Sequence, residues 1–203
     1  MLISNFTLNN SALILIEFQN EWISAHGKLH HLFTKTANFS ESLKNAECVL
    51  RECRKCNIPI IHAGLKFSAD YKELGKGKHG VRAAIPIHQT FQENTEGSQF
   101  AAPFSPKTNE FVVSGRTGAS IFAGSNLDHY LRNNQITTLY LMGYALHVCV
   151  ESTLRAAHDL GYETIIIEDA CAAFTQAQKD YVLHEVIHHF GASISTHDFL
   201  AHF

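Results

Sequence analysis

The chain has 203 residues, of which 45% are hydrophobic and 17% charged, with a formal net charge of -3. That length suits a single domain, residues 1–203, and the composition supplies a buried sheet and excludes a disordered chain. The mild acidity excludes the basic footprint of a nucleic-acid binder or a polybasic membrane anchor.

The first apolar run, Ala12 to Ile16, is closed by Glu17. It is too short for a secretory signal or a membrane span and reads as a buried parallel strand. Asn5-Phe6-Thr7, Asn9-Asn10-Ser11 and Asn38-Phe39-Ser40 match the glycosylation pattern, but with no secretory signal they read as chance matches. Five scattered cysteines, an odd number, are expected to be reduced thiols, which makes the cytoplasm the expected location. From 37 to 56 the apolar residues Phe39, Leu43, Ala46, Leu50 and Cys53 fall on one helical face. Residues 58–63 then read as a second strand, with Pro59 at its start.

Residues 64–109 hold Gly64, Gly75, Gly77, Gly80, Gly97 and three of the four prolines, and show little periodicity. They read as a loop-rich excursion with one short helix, the usual place for segments that shape a substrate site. Alternation then resumes. Strands are predicted at 110–114, 138–142, 163–167 and 192–196, and helices at 127–133, 148–160 and 176–190. This pattern predicts right-handed βαβ units and a three-layer α/β/α fold with a six-stranded, mainly parallel sheet. In such sheets the ligand crevice lies at the carboxyl ends of the strands. Three reactive side chains fall there: Glu17 after the first strand, Arg116 after the third and Cys149 after the fourth.

Cys149 opens a helix, where the macrodipole and free backbone N–H groups favour the thiolate and can hold an oxyanion. Glu17 is placed to take the thiol proton and Arg116 to hold the sulfur's charge. The competing reading of Cys149 is a small buried hydrophobe.

The chain resembles the isochorismatase-like cysteine hydrolases, which include nicotinamidases and related amidohydrolases. Four segments carry the resemblance: Ala12 through Glu21, Gly115-Arg116-Thr117-Gly118 through Asp128, Gly143 through Thr153, and Gly161 through Ala170. The resemblance implies hydrolysis of a small amide, with Cys149 as nucleophile, Glu17 as general base and Arg116 where the family usually has lysine. It also implies a cis peptide at Tyr144–Ala145 and an oxyanion hole formed by the N–H groups of Ala145 and Cys149. Trp22, Phe122, Tyr144 and His147 are the residues expected to contact the substrate. A homo-oligomer, dimer or tetramer, is expected, with a small-molecule substrate as partner and no cofactor. Arginine holds charge but does not shuttle protons, so Arg116 also motivates a second reading, a binding or regulatory protein with weak or no catalysis.

His184-Glu185-Val186-Ile187-His188 matches the H-E-x-x-H pattern of zinc peptidases. Position 194, where that pattern's extended form needs a third ligand, is Ile194, and chance is the better account among 14 histidines. Cys53-Arg54-Lys55-Cys56 has no second pair, and Ala63 and Gly64 follow His62 where a metal site of the nicotinamidase kind would put ligands, so no metal is expected. Gly75-Lys76-Gly77-Lys78-His79-Gly80 lacks the strand and hydroxyl of a phosphate loop and reads as a mobile loop.

Overall fold

The computed structural model describes residues 10–33 and 38–203. The Asn5-Phe6-Thr7 match, Asn9 and the first position of the helix predicted from 37 lie outside them. In chain order the elements are β1 (Ser11–Ile16), α1 (Asn20–Ile23), α2 (Phe39–Lys55), β2 (Ile60–Ala63), α3 (Val81–His88) and β3 (Phe111–Val112). There follow α4 (Leu127–Asn133), β4 (Thr138–Gly143), α5 (Glu151–Asp159), β5 (Glu163–Cys171), α6 (Gln176–Tyr181), α7 (Ile187–Phe190), β6 (Ala192–Ile194) and α8 (Thr196–Leu200).

The six strands form one sheet in the order β3-β2-β1-β4-β5-β6, and every neighbouring pair is parallel. Helices covering both faces explain why all six residues of β1 are buried, and why its sequence is an unbroken apolar run. The helix from Phe39 buries Phe39, Ala46, Leu50 and Cys53 as the spacing predicts, with Val49 in place of Leu43. The strand order reverses direction between β1 and β4, which opens a crevice at their carboxyl ends. Ile16 is level with Ala63 on one side and Gly143 on the other, so three strands end together. Gly143 has φ +137°, and a Cβ there would lie 2.1 Å from the Ile16 carbonyl oxygen. Only glycine lets β4 pass so close to β1 at this point.

Several predicted bounds shift, each for a local reason. The strand at 110–114 contracts to Phe111–Val112, because the Glu110 N–H bonds back to the Lys107 carbonyl in a turn and the Ser114 N–H goes to the Asn126 side chain. The Glu110 carboxylate pairs with Arg54 (2.7 Å) and His62 (2.8 Å). The helices predicted at 148–160 and 176–190 each contain a wider π-type turn, at Leu146–Val150 and Val182–Val186. The last strand stops at Ile194, and α8 begins where extension was predicted. The Ser195 hydroxyl caps α8 by accepting a hydrogen bond from the Asp198 N–H. Ser195-x-x-Asp198 is a legible N-cap pattern that the strand reading passed over. The excursion carries one α-helix, α3, as expected, and two single 3-10 turns at Lys72–Leu74 and Ala102–Phe104.

Candidate active site

Glu17 follows β1 directly, with φ +57°. This left-handed turn swings the chain out of the sheet and leaves the carboxylate, 0% exposed, at the strand end. A buried carboxylate needs a donor at each oxygen. Here Oε1 accepts from Arg116 Nη2 (2.6 Å) and Oε2 accepts from Trp22 Nε1 (3.0 Å).

Arg116 is equally enclosed. Its Nε donates to the Gly118 carbonyl (3.1 Å), Nη1 to the Ala63 carbonyl (3.1 Å), and Nη2 to the Ala119 carbonyl (2.6 Å) as well as to Glu17. The Cys149 thiol lies within hydrogen-bonding reach of both the Glu17 carboxylate and the Arg116 guanidinium. Four of the five guanidinium N–H donors are thus taken by oxygen acceptors.

Cys149 sits in the π-type turn that leads into α5 and is 6% exposed. Burial pushes its thiol well above the ordinary range, the Glu17 charge adds to this, and Arg116 only partly opposes it. This runs against the expectation of a resting thiolate, because burial favours the neutral thiol. The Thr153 hydroxyl ties the turn down, donating to the Cys149 carbonyl (2.7 Å) and accepting from the Ile121 N–H (3.2 Å). The Tyr144–Ala145 peptide before it is cis.

Glu17, Trp22, Ala145 and Cys149 all line one cavity of about 580 Å³. Its remaining wall comes from the segment after α1, from the excursion with α3, and from Thr117 to Ala119, Val148 and Phe174.

Three of the expected substrate contacts are corrected. Tyr144 is fully buried, its hydroxyl 3.0 Å from that of Ser42, and it is not part of the cavity wall. Phe122 stacks on Tyr162 (5.7 Å between centroids) and is also absent from the wall. His147 packs edge-on against Phe174 (4.6 Å), and it is Phe174 that reaches the cavity. Trp22 does line the cavity, and it also holds the acid.

Two residues beside the acid organise the site in a way the sequence reading did not anticipate. Gln19 Nε2 donates to the carbonyls of Leu65 (2.8 Å) and Ser98 (2.7 Å), while its Oε1 accepts from the Leu65 N–H (2.8 Å). Glu21 accepts from the N–H groups of Lys28 (3.1 Å) and Phe91 (3.2 Å). Both side chains are buried, and together they staple the excursion to the loop that carries Glu17. The signal was available: polar side chains set directly against an apolar strand end need partners from elsewhere in the chain.

The histidine motif forms no centre. His184, Glu185 and His188 are exposed, and a π-type turn covers the first two. No group of three or more potential metal ligands assembles among the described residues. No helix among them is long and apolar enough to cross a membrane.

A family model described as "Isochorismatase domain" matches residues 11–198. The chain is 33% identical to YwoC, an isochorismatase family protein of Bacillus subtilis (strain 168), over 97% of this chain and 95% of that protein. It is 27% identical to the ureidoacrylate amidohydrolase RutB of Variovorax paradoxus (strain S110), over 80% of this chain and 68% of that protein. Among solved structures, N-carbamoylsarcosine amidase from Thermoplasma acidophilum superposes with a TM-score of 0.68 at 26% identity, covering 91% of this chain and 95% of that one.

Proposed function

Because this chain belongs to the isochorismatase family of hydrolases, we propose that it cleaves the C–N bond of a small amide through a thioester on Cys149. One observation carries this reading. A thiol that touches both a carboxylate and a guanidinium lies on the wall of a cavity large enough for a small molecule. The amidohydrolase and the amidase among its relatives point to the same bond class.

The raised thiol sets the order of events. Glu17 takes the proton of Cys149 as sulfur attacks the carbonyl carbon, so the thiolate is formed only when it is used. The N–H groups of Ala145 and Cys149 hold the oxyanion. Protonated Glu17 then gives its proton to the departing amine, and a water activated by the same carboxylate cleaves the thioester. Arg116 keeps its proton throughout and stabilises negative charge as it moves between sulfur and carboxylate. An electrostatic role of this kind does not need the lysine, which speaks for a working enzyme over a binding protein.

Ammonia release from a primary-amide library, with Cys149→Ala as control, tests the proposal. Turnover lost in the variant supports it, and equal release by both proteins refutes it. Five free thiols support a reducing compartment, the cytoplasm, as part of the same proposal. So is a homo-oligomer, which light scattering on the purified protein tests.

A further inference from the structure

The cavity beside Cys149 has a chemical character that narrows the substrate. Its body is built from Trp22, Leu29, Leu65, Phe67, Phe91 and Phe174. The other polar groups on the wall are few, and those nearest the thiol are committed. Both Glu17 oxygens already have donors, from Arg116 and Trp22. Four of the five N–H donors of Arg116 are matched, by the carbonyls of Ala63, Gly118 and Ala119 and by Glu17. The remaining basic side chains on the wall, Lys28, His31, Arg82 and His88, are all exposed at its solvent side, and the Lys28 ammonium donates to the Gln89 carbonyl.

A carboxylate carried a few bonds from the scissile amide meets apolar side chains, the Glu17 carboxylate and a guanidinium with four of its five donors already taken. Taking such a charge out of water without a partner is heavily disfavoured. An alkyl or aryl group of the same size there gains from burial. Building on the amide-hydrolase reading, we infer that the substrate's acyl part is uncharged and apolar, an aliphatic or aromatic amide and not an amide of an acidic molecule.

Two near-isosteric probes isolate this claim. 5-Methylhexanamide and glutaramate share the amide and three methylenes, and differ only in an isopropyl group against a carboxylate. The expected result is a kcat/KM for ammonia release at least 100-fold higher for 5-methylhexanamide. Comparable or better turnover of glutaramate overturns the inference and leaves the hydrolase reading intact.

Binding is read separately from turnover. Trp22 is the sole tryptophan of the chain and lines the cavity, so its fluorescence reports occupancy in Cys149→Ala. Saturation by 5-methylhexanamide at a concentration at least 30-fold lower than by glutaramate is expected. Equal affinities overturn the inference. Selective binding with no turnover of any amide by the unaltered enzyme sinks the hydrolase reading but upholds the apolar acyl site. Leu29→Arg adds a cation to a partly exposed position of the wall. It is expected to shrink the preference for 5-methylhexanamide at least tenfold, and an unchanged ratio counts against the cavity as the place of selection.

Discussion

Replacing Arg116 by lysine keeps the charge and removes the geometry. The guanidinium spreads its donors over Nε, Nη1 and Nη2, reaching three carbonyls at 2.6 to 3.1 Å and the Glu17 carboxylate, with its charge acting on the Cys149 thiol. An ammonium offers three donors from one point. If it keeps Glu17 and one carbonyl and turns its third donor to the sulfur, two buried carbonyls lose their partners. Each unmet acceptor costs about 1–3 kcal/mol, so Arg116→Lys is expected to lose about 2–6 kcal/mol of stability. With a urea slope of about 2 kcal/mol/M, the unfolding midpoint falls by roughly 1 M or more. The assay is urea unfolding followed by far-UV circular dichroism at neutral pH, with ammonia release measured on the fraction still folded. Turnover should fall as well, because the acid and the thiol lose their common anchor. An Arg116→Lys protein with unaltered midpoint and rate would refute the reasoning, since it would mean that the forked arrangement holds nothing.

Trp22→Phe leaves the cavity wall nearly unchanged but deletes the donor to Glu17 Oε2. A hydrogen bond to a charged group is worth about 1.5–3 kcal/mol, which corresponds to about a 10- to 100-fold loss in kcat if it is fully used in the transition state. KM for a good amide should move less, and the reverse pattern would assign Trp22 to substrate binding alone. The raised thiol of Cys149 has a pH consequence: its iodoacetamide labelling should be slower than that of exposed Cys56 at pH 7 and should keep climbing above pH 9. A labelling rate that levels off below pH 7 would restore the resting thiolate. The Arg54–Glu110–His62 cluster makes the fold acid-sensitive. Burial lowers His62 below its ordinary 6.5, so as pH falls below that value the unfolded chain takes up a proton that the native state refuses, and stability drops. Against the raising effect of its own burial, bonds from Arg54, the Lys107 N–H and His62 hold Glu110 down at about 2. Its contribution is present above 4.5 and is lost as pH falls towards 2, so Glu110→Gln should flatten the stability profile between pH 4.5 and 3. An unchanged slope there argues against the cluster.

What the sequence made legible was what local periodicity encodes. The all-apolar β1, the single face of α2 and the strand–helix alternation predict the parallel sheet. A parallel sheet in turn predicts that Glu17, Arg116 and Cys149 fall at strand ends, and the structure brings those three together. What was not legible depended on partners distant in the chain. Tyr144 stands beside the nucleophile turn in sequence, yet its ring points into the core to meet Ser42, because the alternation of side chains at the end of β4 leaves it no path to the cavity. Phe174 lies 25 positions after Cys149 and reaches the cavity that His147 does not. The resting state of the thiol was misjudged for a similar reason. A helix-start argument sees the backbone dipole but not the burial, which is the largest influence on this sulfur.

Residues 17 to 22 combine three tasks that many enzymes distribute along the chain. Glu17 is the acid, Trp22 holds it and walls the cavity, and Gln19 and Glu21 fasten the excursion that forms much of the rest of that wall. The position of the base and the shape of the cavity are therefore mechanically linked. Not all wall residues carry this link equally. Leu65 and Phe91 bond through their backbones to Gln19 and Glu21, so a substitution that shifts the main chain at either also pulls on the segment that aims Glu17. The Phe67 backbone bonds within the excursion, to Phe91 and Glu93, and its side chain lines the cavity. A side-chain change at Phe67, one bond further from the staples, is therefore expected to shift selectivity with less loss of turnover than the same change at Leu65, which kcat/KM measured on the two variants with a pair of amides checks.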